Sequence, residues 1–237
     1  MLMSQKFITI KNAVASPVRC LLFLFSLILL SCSDDSGIDG PVDMQLWDIV
    51  TYTGRQSDNG GSVFTFRQVD DSPEIVLTSD KVLPDDVKSG TRLMIRYIPE
   101  SGEAYKSGPV RLLGASKINQ GIAEAEWKDE YGDWNRDKVF LYSLWRTGTY
   151  LNFHLRLTYS AEPRIFTLVL DPATKDSDVP EFYLVHIMAK ETDSHDRAYF
   201  ASFDIGRIWS DPAVRGVKIH VANTNLDKQC FEFFKAN

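Results

Sequence analysis

V-F-L-Y-S-L-W-R-T-G-T-Y-L-N-F-H-L-R-L-T-Y, Val139 to Tyr159, is the stretch whose reading decides the fold. Two apolar arms flank Arg146-Thr147-Gly148-Thr149, a polar turn carrying a glycine, so the stretch reads as a β-hairpin. In the second arm Leu151, Phe153, Leu155 and Leu157 share one face, while Asn152, His154, Arg156 and Thr158 share the other. A period of two belongs to a strand, and this clean alternation predicts one buried and one wet face, as in an antiparallel sheet.

Working outward toward the C-terminus, R-I-F-T-L-V-L, F-Y-L-V-H-I-M, A-Y-F-A-S-F-D-I, G-V-K-I-H-V and F-E-F-F continue the pattern. Seven strands in about 115 residues predict an antiparallel β-sandwich over 120–237. Toward the N-terminus, L-W-D-I-V-T-Y, S-V-F-T-F-R-Q-V, E-I-V-L-T-S, R-L-M-I-R-Y-I and P-V-R-L-L-G-A-S-K-I read as strands. Asn59 and Gly60 are suited to positive φ in the first turn, and Gly114 marks a kink in the last strand. Within R-L-M-I-R-Y-I, Leu93, Ile95 and Tyr97 share a face opposite Arg92, Met94 and Arg96. Five strands in about 75 residues predict a small five-stranded OB-like barrel over 45–119, with an SH3-like barrel as the alternative. The expected fold class is therefore all-β, with the inter-domain connection in the least strand-like stretch, Asn119 to Asp137.

The first 31 residues are of another kind. They contain Lys6, Lys11 and Arg19 and no acid, followed by an apolar run from Leu21 to Leu30 interrupted only by Ser26. The run is shorter than the roughly 20 residues of a spanning helix, and its basic flank makes it a signal peptide over 1–31. It ends in Leu29-Leu30-Ser31-Cys32, a lipobox that makes Cys32 the lipidation site. Two or three acyl chains, at about 0.8 kcal/mol per buried CH₂, anchor stably where one does not. Ser33-Asp34-Asp35 resembles the export signal of surface lipoproteins in Bacteroides-type bacteria. Residues 32–44 are then an acidic tether, and the expected location is the outer membrane, facing outward.

Cleavage before Cys32 would remove three cations and no acid, taking the formal charge from −6 to −9. So acidic a chain is a poor ligand for nucleic acid or for anionic lipid through a basic patch. Of the three cysteines, Cys20 leaves with the signal and Cys32 is acylated, so Cys230 has no partner for an internal disulfide or a cysteine metal site. In its strand context Cys230 reads as a packed residue. Oligomeric state is not legible.

The chain resembles the NigD-like lipoproteins of Bacteroides-type bacteria over nearly all of its mature length. The resemblance rests on the lipobox with its acidic tether, G-T-R-L-M-I-R-Y at 90–97, W-R-T-G-T-Y-L-N-F at Trp145 to Phe153, F-Y-L-V-H at Phe182 to His186, and Ser202 to Ile205. It implies an OB-like domain followed by a β-sandwich. It implies no established reaction and no catalytic residues, and it links the family to a bacteriocin locus, hence to immunity.

Candidate sites must come from the residues. The four histidines, His154, His186, His195 and His220, form no H-E-x-x-H motif. Ser202, His186 and Asp204 are a triad only if the fold brings them together. Asp133-x-Asn135-x-Asp137 begins like a calcium loop, but Lys138 replaces the required glycine and Leu144 the bidentate glutamate. Asp176 with Asp178 reads as a solvated acidic turn. No metal and no cofactor is implied, and no catalytic residues are assigned.

Trp127, Tyr131 and Trp134 are the most suggestive group, because they fall in a polar stretch. Such aromatics either plug the cleft between the domains, the favoured reading, or stack on a sugar ring. Trp47 and Trp145 are expected in cores, and Trp209 either in a core or at a turn. The functional reading is a surface-anchored, non-catalytic binding or interaction module for a protein or glycan ligand. The rival is a glycoside-active enzyme, which needs two carboxyls about 5 to 9.5 Å apart in a cleft.

Overall fold

The computed structural model describes residues 44–159, 162–189 and 195–236. The signal peptide, Cys32, Ser33-Asp34-Asp35 and nearly all of the 32–44 tether lie outside the described residues.

Strands β1 (Leu46–Arg55), β2 (Ser62–Phe66), β3 (Ile75–Ser79), β4 (Arg92–Pro99) and β5 (Gly108–Lys117) close into a barrel in the order β1-β2-β3-β5-β4, with β1 pairing both β2 and β4. β3 runs parallel to β5, which closes the barrel as the OB reading requires. The alternation seen in the sequence fills it: Leu93, Ile95 and Tyr97 point inward beside Val50, Phe64 and Leu77. The kink expected at Gly114 is a bulge, since Arg96 pairs with Gly114 and Tyr97 with Leu112, leaving Leu113 as the extra residue. In the first turn Gly60 takes positive φ (71°), whereas Asn59 does not. Asn59 instead accepts the Gly61 amide at its Oδ1 (2.7 Å), an Asx turn that does the same job with the side chain.

Beyond the barrel come β6 (Asn119–Ile122), a 3₁₀ turn (Asp129–Asp133), β7 (Phe140–Thr147), β8 (Tyr150–Thr158), β9 (Arg164–Leu170), β10 (Glu181–Met188), β11 (Asp196–Asp204), a one-turn helix α1 (Gly206–Trp209), β12 (Gly216–Val221) and β13 (Cys230–Phe234). They form two four-stranded sheets, β6-β11-β8-β7 and β13-β12-β10-β9. Each sheet is antiparallel except for one parallel pair, β6 with β11 and β10 with β12. β6 is the strand that the sequence hid, because N-Q-G-I has a single apolar residue and a glycine. Its backbone pairing with β11, not its side chains, makes it a strand.

Leu151, Phe153, Leu155 and Leu157 of β8 meet Leu168, Phe182, Leu184 and Ile219 of the facing sheet, and these make the main core. Phe153 is fully buried, so Phe153→Ala would cost about 3–5 kcal/mol. The β7–β8 hairpin turns on Gly148 at φ 57° and Thr149, a two-residue loop with glycine in the first central position.

The opposite face of β8 is wet at Arg156 and partly so at His154 and Thr158, but not at Asn152. Asn152 has no exposed surface, because the barrel stands on this face of the sheet. Barrel and sandwich lie within one compact unit, 43–237.

Candidate functional site

Two surfaces of the sandwich outside its core carry the candidate chemistry. The first is the face of β8 and β11 that meets the barrel. Arg92 opens β4 on the barrel's outer side and is 4 % exposed. Its Nε donates to Ser202 Oγ (3.0 Å), one terminal nitrogen to Thr51 Oγ1 (2.9 Å) and the other to Asn152 Oδ1 (2.9 Å). Ser202 Oγ also donates to Asn152 Oδ1 (2.9 Å), and Asn152 Nδ2 donates to Thr147 Oγ1 (2.9 Å). The guanidinium carbon lies 4.3 Å from the centroid of the Tyr150 ring. All these partners are neutral. Burial pushes the Arg92 pKa down to about 10, against the favourable fields of Tyr150 and Asp204.

A second arginine clamps the hairpin to the loop between β2 and β3. Arg146 is 2 % exposed and grips Asp71 through both terminal nitrogens (2.9 and 2.7 Å), while also donating to Gly148 O (2.6 Å). Its guanidinium lies 4.2 Å from the centroid of a Trp209 ring. The Arg146 guanidinium holds the Asp71 carboxyl below the usual carboxylate range. Backbone bonds reinforce the clamp, Asp70 N to Arg146 O and Gly148 N to Asp70 O, and they hold Asp70 at φ 42°. Beside the two arginines a cleft of about 460 Å³ opens, with Thr51, Arg67, Arg92, Thr149, Tyr150 and Trp209 in its wall.

The motif residues singled out in the sequence thus converge. Arg92 comes from G-T-R-L-M-I-R-Y, Arg146, Thr147, Tyr150 and Asn152 from W-R-T-G-T-Y-L-N-F, and Ser202 from S-F-D-I. Of these strings only W-R-T-G-T-Y-L-N-F is distinctive in the sequence, the others being generic strand patterns, and nothing in the sequence shows that they touch. The available signal was Asn152 and Arg92 on strand faces opposite their own cores.

The second surface is the outer face of β9 and β10, on the other side of the sandwich from the barrel. Val169, Val185 and Ile187 point out there and are covered by Tyr131, Trp127 and Trp134. The three aromatics therefore do not plug the cleft between barrel and sandwich. The chain crosses from β6 to bond β9 through Glu124, and that carries 127–134 to the far side. Tyr131 is 1 % exposed and donates to Glu124 Oε2 (2.7 Å), so it supports the patch from beneath.

Trp127 and Trp134 are half-buried and meet Tyr183 edge-on, at 5.4 and 4.8 Å between centroids. Tyr183 itself stacks on His220 at 4.5 Å, and His220 Nε2 lies 2.6 Å from Glu181 Oε2. Trp127, Trp134, Tyr183, Asp171 and Pro172 line an open groove of about 440 Å³. Among the described residues neither indole N–H nor the Tyr183 hydroxyl bonds to protein.

The remaining candidates are dispersed. Ser202 is held at the junction, whereas His186 lies on the inward face of β10, with Nδ1 2.8 Å from Asp137 O and Nε2 3.3 Å from Arg164. Nδ1 facing a carbonyl must carry the proton, so Nε2 accepts from Arg164, and burial pushes the His186 pKa down. Asp204 accepts the Gly206 amide. These three bond to separate partners, not to one another.

Asp137 accepts the Met188 amide and pairs with Arg136, as Asp133 also does, and Asp178 pairs with Arg215. His154 is stacked between Tyr142 and Phe200, at 4.6 and 4.3 Å. His195 stacks on Tyr159 at 5.4 Å. Cys230 is half-buried, and burial pushes its thiol pKa up, away from reactivity.

Trp47 is not in a core: it is 62 % exposed, with the Arg96 guanidinium over its ring. The alternation of L-W-D-I-V-T-Y sends Leu46, Asp48, Val50 and Tyr52 inward and Trp47 out. Trp145 is half-buried and Trp209 buried.

No protein-family model and no curated protein matches the sequence. Solved structures do. A protein of unknown function from Bacteroides vulgatus is 19% identical, with a TM-score of 0.62 over 82% of this chain and 92% of that one. A NigD-like immunity protein from Bacteroides caccae is 14% identical, with a TM-score of 0.56 over 79% and 91%. A candidate lipoprotein from Bacteroides fragilis is 15% identical, with a TM-score of 0.54 over 81% and 96%. The chain has the fold of the NigD-like proteins of Bacteroides-type bacteria, which its hairpin and strand motifs resemble.

Proposed function

We propose that this chain is a non-catalytic binding protein, anchored through lipid on Cys32 to the outer membrane and carried outward by Ser33, Asp34 and Asp35. The observation that carries the binding role is the open aromatic groove. Trp127, Trp134 and Tyr183 line it with aromatic surface and with polar tips that no protein group among the described residues uses. Aromatic side chains of this kind give large contact area at low entropic cost, and an unused N–H or O–H fixes a ligand's orientation. A neutral glycan suits the groove, with ring carbons against the indoles and hydroxyls on the indole N–H groups and on Asp171. The triad atoms and the Asp133–Asp137 carboxylates are bonded to protein groups elsewhere, which supports binding over catalysis.

The test is a panel of neutral oligosaccharides, measured with the purified chain for both binding and turnover. Binding without turnover, weakened about tenfold by Trp134→Ala, is the expected result. Turnover of any member overturns the non-catalytic reading. Palmitate labelling of cells carrying Cys32→Ala tests the anchor: the label should vanish, and its persistence would refute Cys32 as the acylated residue. Protease shaving of whole cells carrying Asp34→Ala with Asp35→Ala tests the export signal. Digestion as ready as wild type's would reduce the two acids to a tether.

A further inference from the structure

The aromatic groove leaves Arg92 unexplained. A guanidinium that is only 4 % exposed costs a great deal to desolvate, and proteins ordinarily set a carboxylate against it. Arg146, a few residues from the same cleft, has such a partner in Asp71 and is further neutralised by Asp70. Arg92 has none. Its bonded partners are two hydroxyls and an amide oxygen, and three of its five N–H groups are accounted for by them.

Arg67 lines the same cleft and donates to the Ser72 carbonyl, again a neutral group. Two acids, Asp71 and Glu74, also line the wall, and the field of Arg67 reaches Asp71. Asp71 is engaged by Arg146, and Glu74 is exposed. Two cations with neutral bonding partners therefore border one cavity whose volume, about 460 Å³, is that of a small-molecule site.

The rest of the wall identifies the ligand class. The side chains of Thr51, Thr149 and Tyr150 supply hydroxyls, and Trp209, buried with the Arg146 guanidinium against its ring, supplies an aromatic edge. Hydroxyls matched to hydroxyls, an aromatic edge for carbon–hydrogen groups, and guanidinium for an oxyanion together describe an acidic sugar. We propose that the cleft between the barrel and the β7–β8 hairpin binds an acidic monosaccharide unit, its carboxylate received by Arg92 and Arg67. This site is separate from the aromatic groove and lies on the other side of the sandwich. No covalent step is involved.

The experiment is calorimetric titration of the full chain in detergent with sodium glucuronate, glucose, acetate and inorganic phosphate in parallel. Glucuronate should bind, glucose and acetate each at least tenfold more weakly, and raised salt should weaken the glucuronate complex. Because Arg92 also joins the barrel to the sandwich, the diagnostic variants are Arg67→Ala and Thr149→Val. Each should weaken glucuronate about fivefold or more while the thermal unfolding midpoint stays within a few degrees of wild type.

Equal binding of glucose and glucuronate overturns the proposal, as does indifference to both variants. Phosphate binding with no glucuronate binding also overturns it, because the cleft would then hold an oxyanion without reading a sugar. Trp134→Ala keeps the outcomes apart: it should weaken neutral glycans in the groove and leave glucuronate unchanged.

Discussion

The two sheets of the sandwich turn their outer faces to opposite chemistries. Where β8 and β11 meet the barrel the contact is a polar network, with Arg92, Asn152 and Ser202 buried and bonded to one another and a cleft opening beside Arg92. The face of β9 and β10 is aromatic and open, with two half-buried indoles whose N–H groups have no protein partner among the described residues. A hydrogen-bonded network has one satisfying geometry, so it fixes how the barrel sits. Aromatic cover tolerates small displacements and leaves polar tips free. The molecule thus places its most specific bonding where two modules must meet in one way, and its most adaptable surface on the far side of the sandwich.

The largest expected effect comes from breaking the polar face. Asn152→Leu keeps volume but strips Arg92 of an acceptor and Thr147 of a donor, leaving a buried cation short of partners. It should cost about 3–5 kcal/mol in urea unfolding. Arg92→Met in the same chain should recover part of that loss, because it removes the stranded charge. A double mutant that is additive would show that the two residues do not communicate, and the network reading would fail.

Next is Asp71→Ala. Arg146 would keep Asp70 at 3.4 Å and Gly148 O, and Asp71 is itself largely exposed, so the loss should be smaller, about 1–2 kcal/mol. On the aromatic face, Tyr131→Phe removes one hydrogen bond to Glu124 and no packing, and about 1 kcal/mol is expected. If Tyr131→Phe proved costlier than Asn152→Leu, the contrast between the two faces would be inverted.

The contrast also explains what the sequence could and could not disclose. Alternation gave the faces of β4 and β8 correctly, because the period of two is set by the pleat and needs no tertiary information. It could not say that the polar face of β8 is covered at Asn152, since a sequence shows that Asn152 is polar but not that Arg92 waits 60 positions away to meet it. Trp47 lies outside the core for a simpler reason: alternation with Leu46, Asp48 and Val50 assigns it outward, and that position outweighs its hydrophobicity.

The aromatics at 127–134 were legible as an unusual group in a polar stretch. Their placement depended on β6, a strand built from backbone bonds by a sequence with little strand character. That one short strand leads the chain across the sandwich and so puts the aromatic patch on the face away from the barrel.

The smallest expected effect is a pH dependence confined to the aromatic face. Burial opposes ionisation of Glu124, but hydrogen bonds from Tyr131, Lys128 and Thr167 outweigh it and hold the carboxyl below the usual range. A carboxyl with a depressed folded-state pKa contributes stability that is present above its unfolded value, near 4.5, and is lost as pH falls through the folded value. Glu124 is partly exposed, so the contribution at neutral pH should be below about 1 kcal/mol.

The indole N–H signals of Trp127 and Trp134, followed by NMR from pH 6 downward, should move with a midpoint below 4.5, because Tyr131 links Glu124 to the ring cluster. Arg92 stays charged throughout that range, and its neutral partners do not titrate, so the network around Asn152 should keep its signals. Glu124→Gln should remove the acid step from both indoles. If the step persists in that variant, another group drives it; Glu181, which His220 holds below its usual pKa beneath Tyr183, would then be the source.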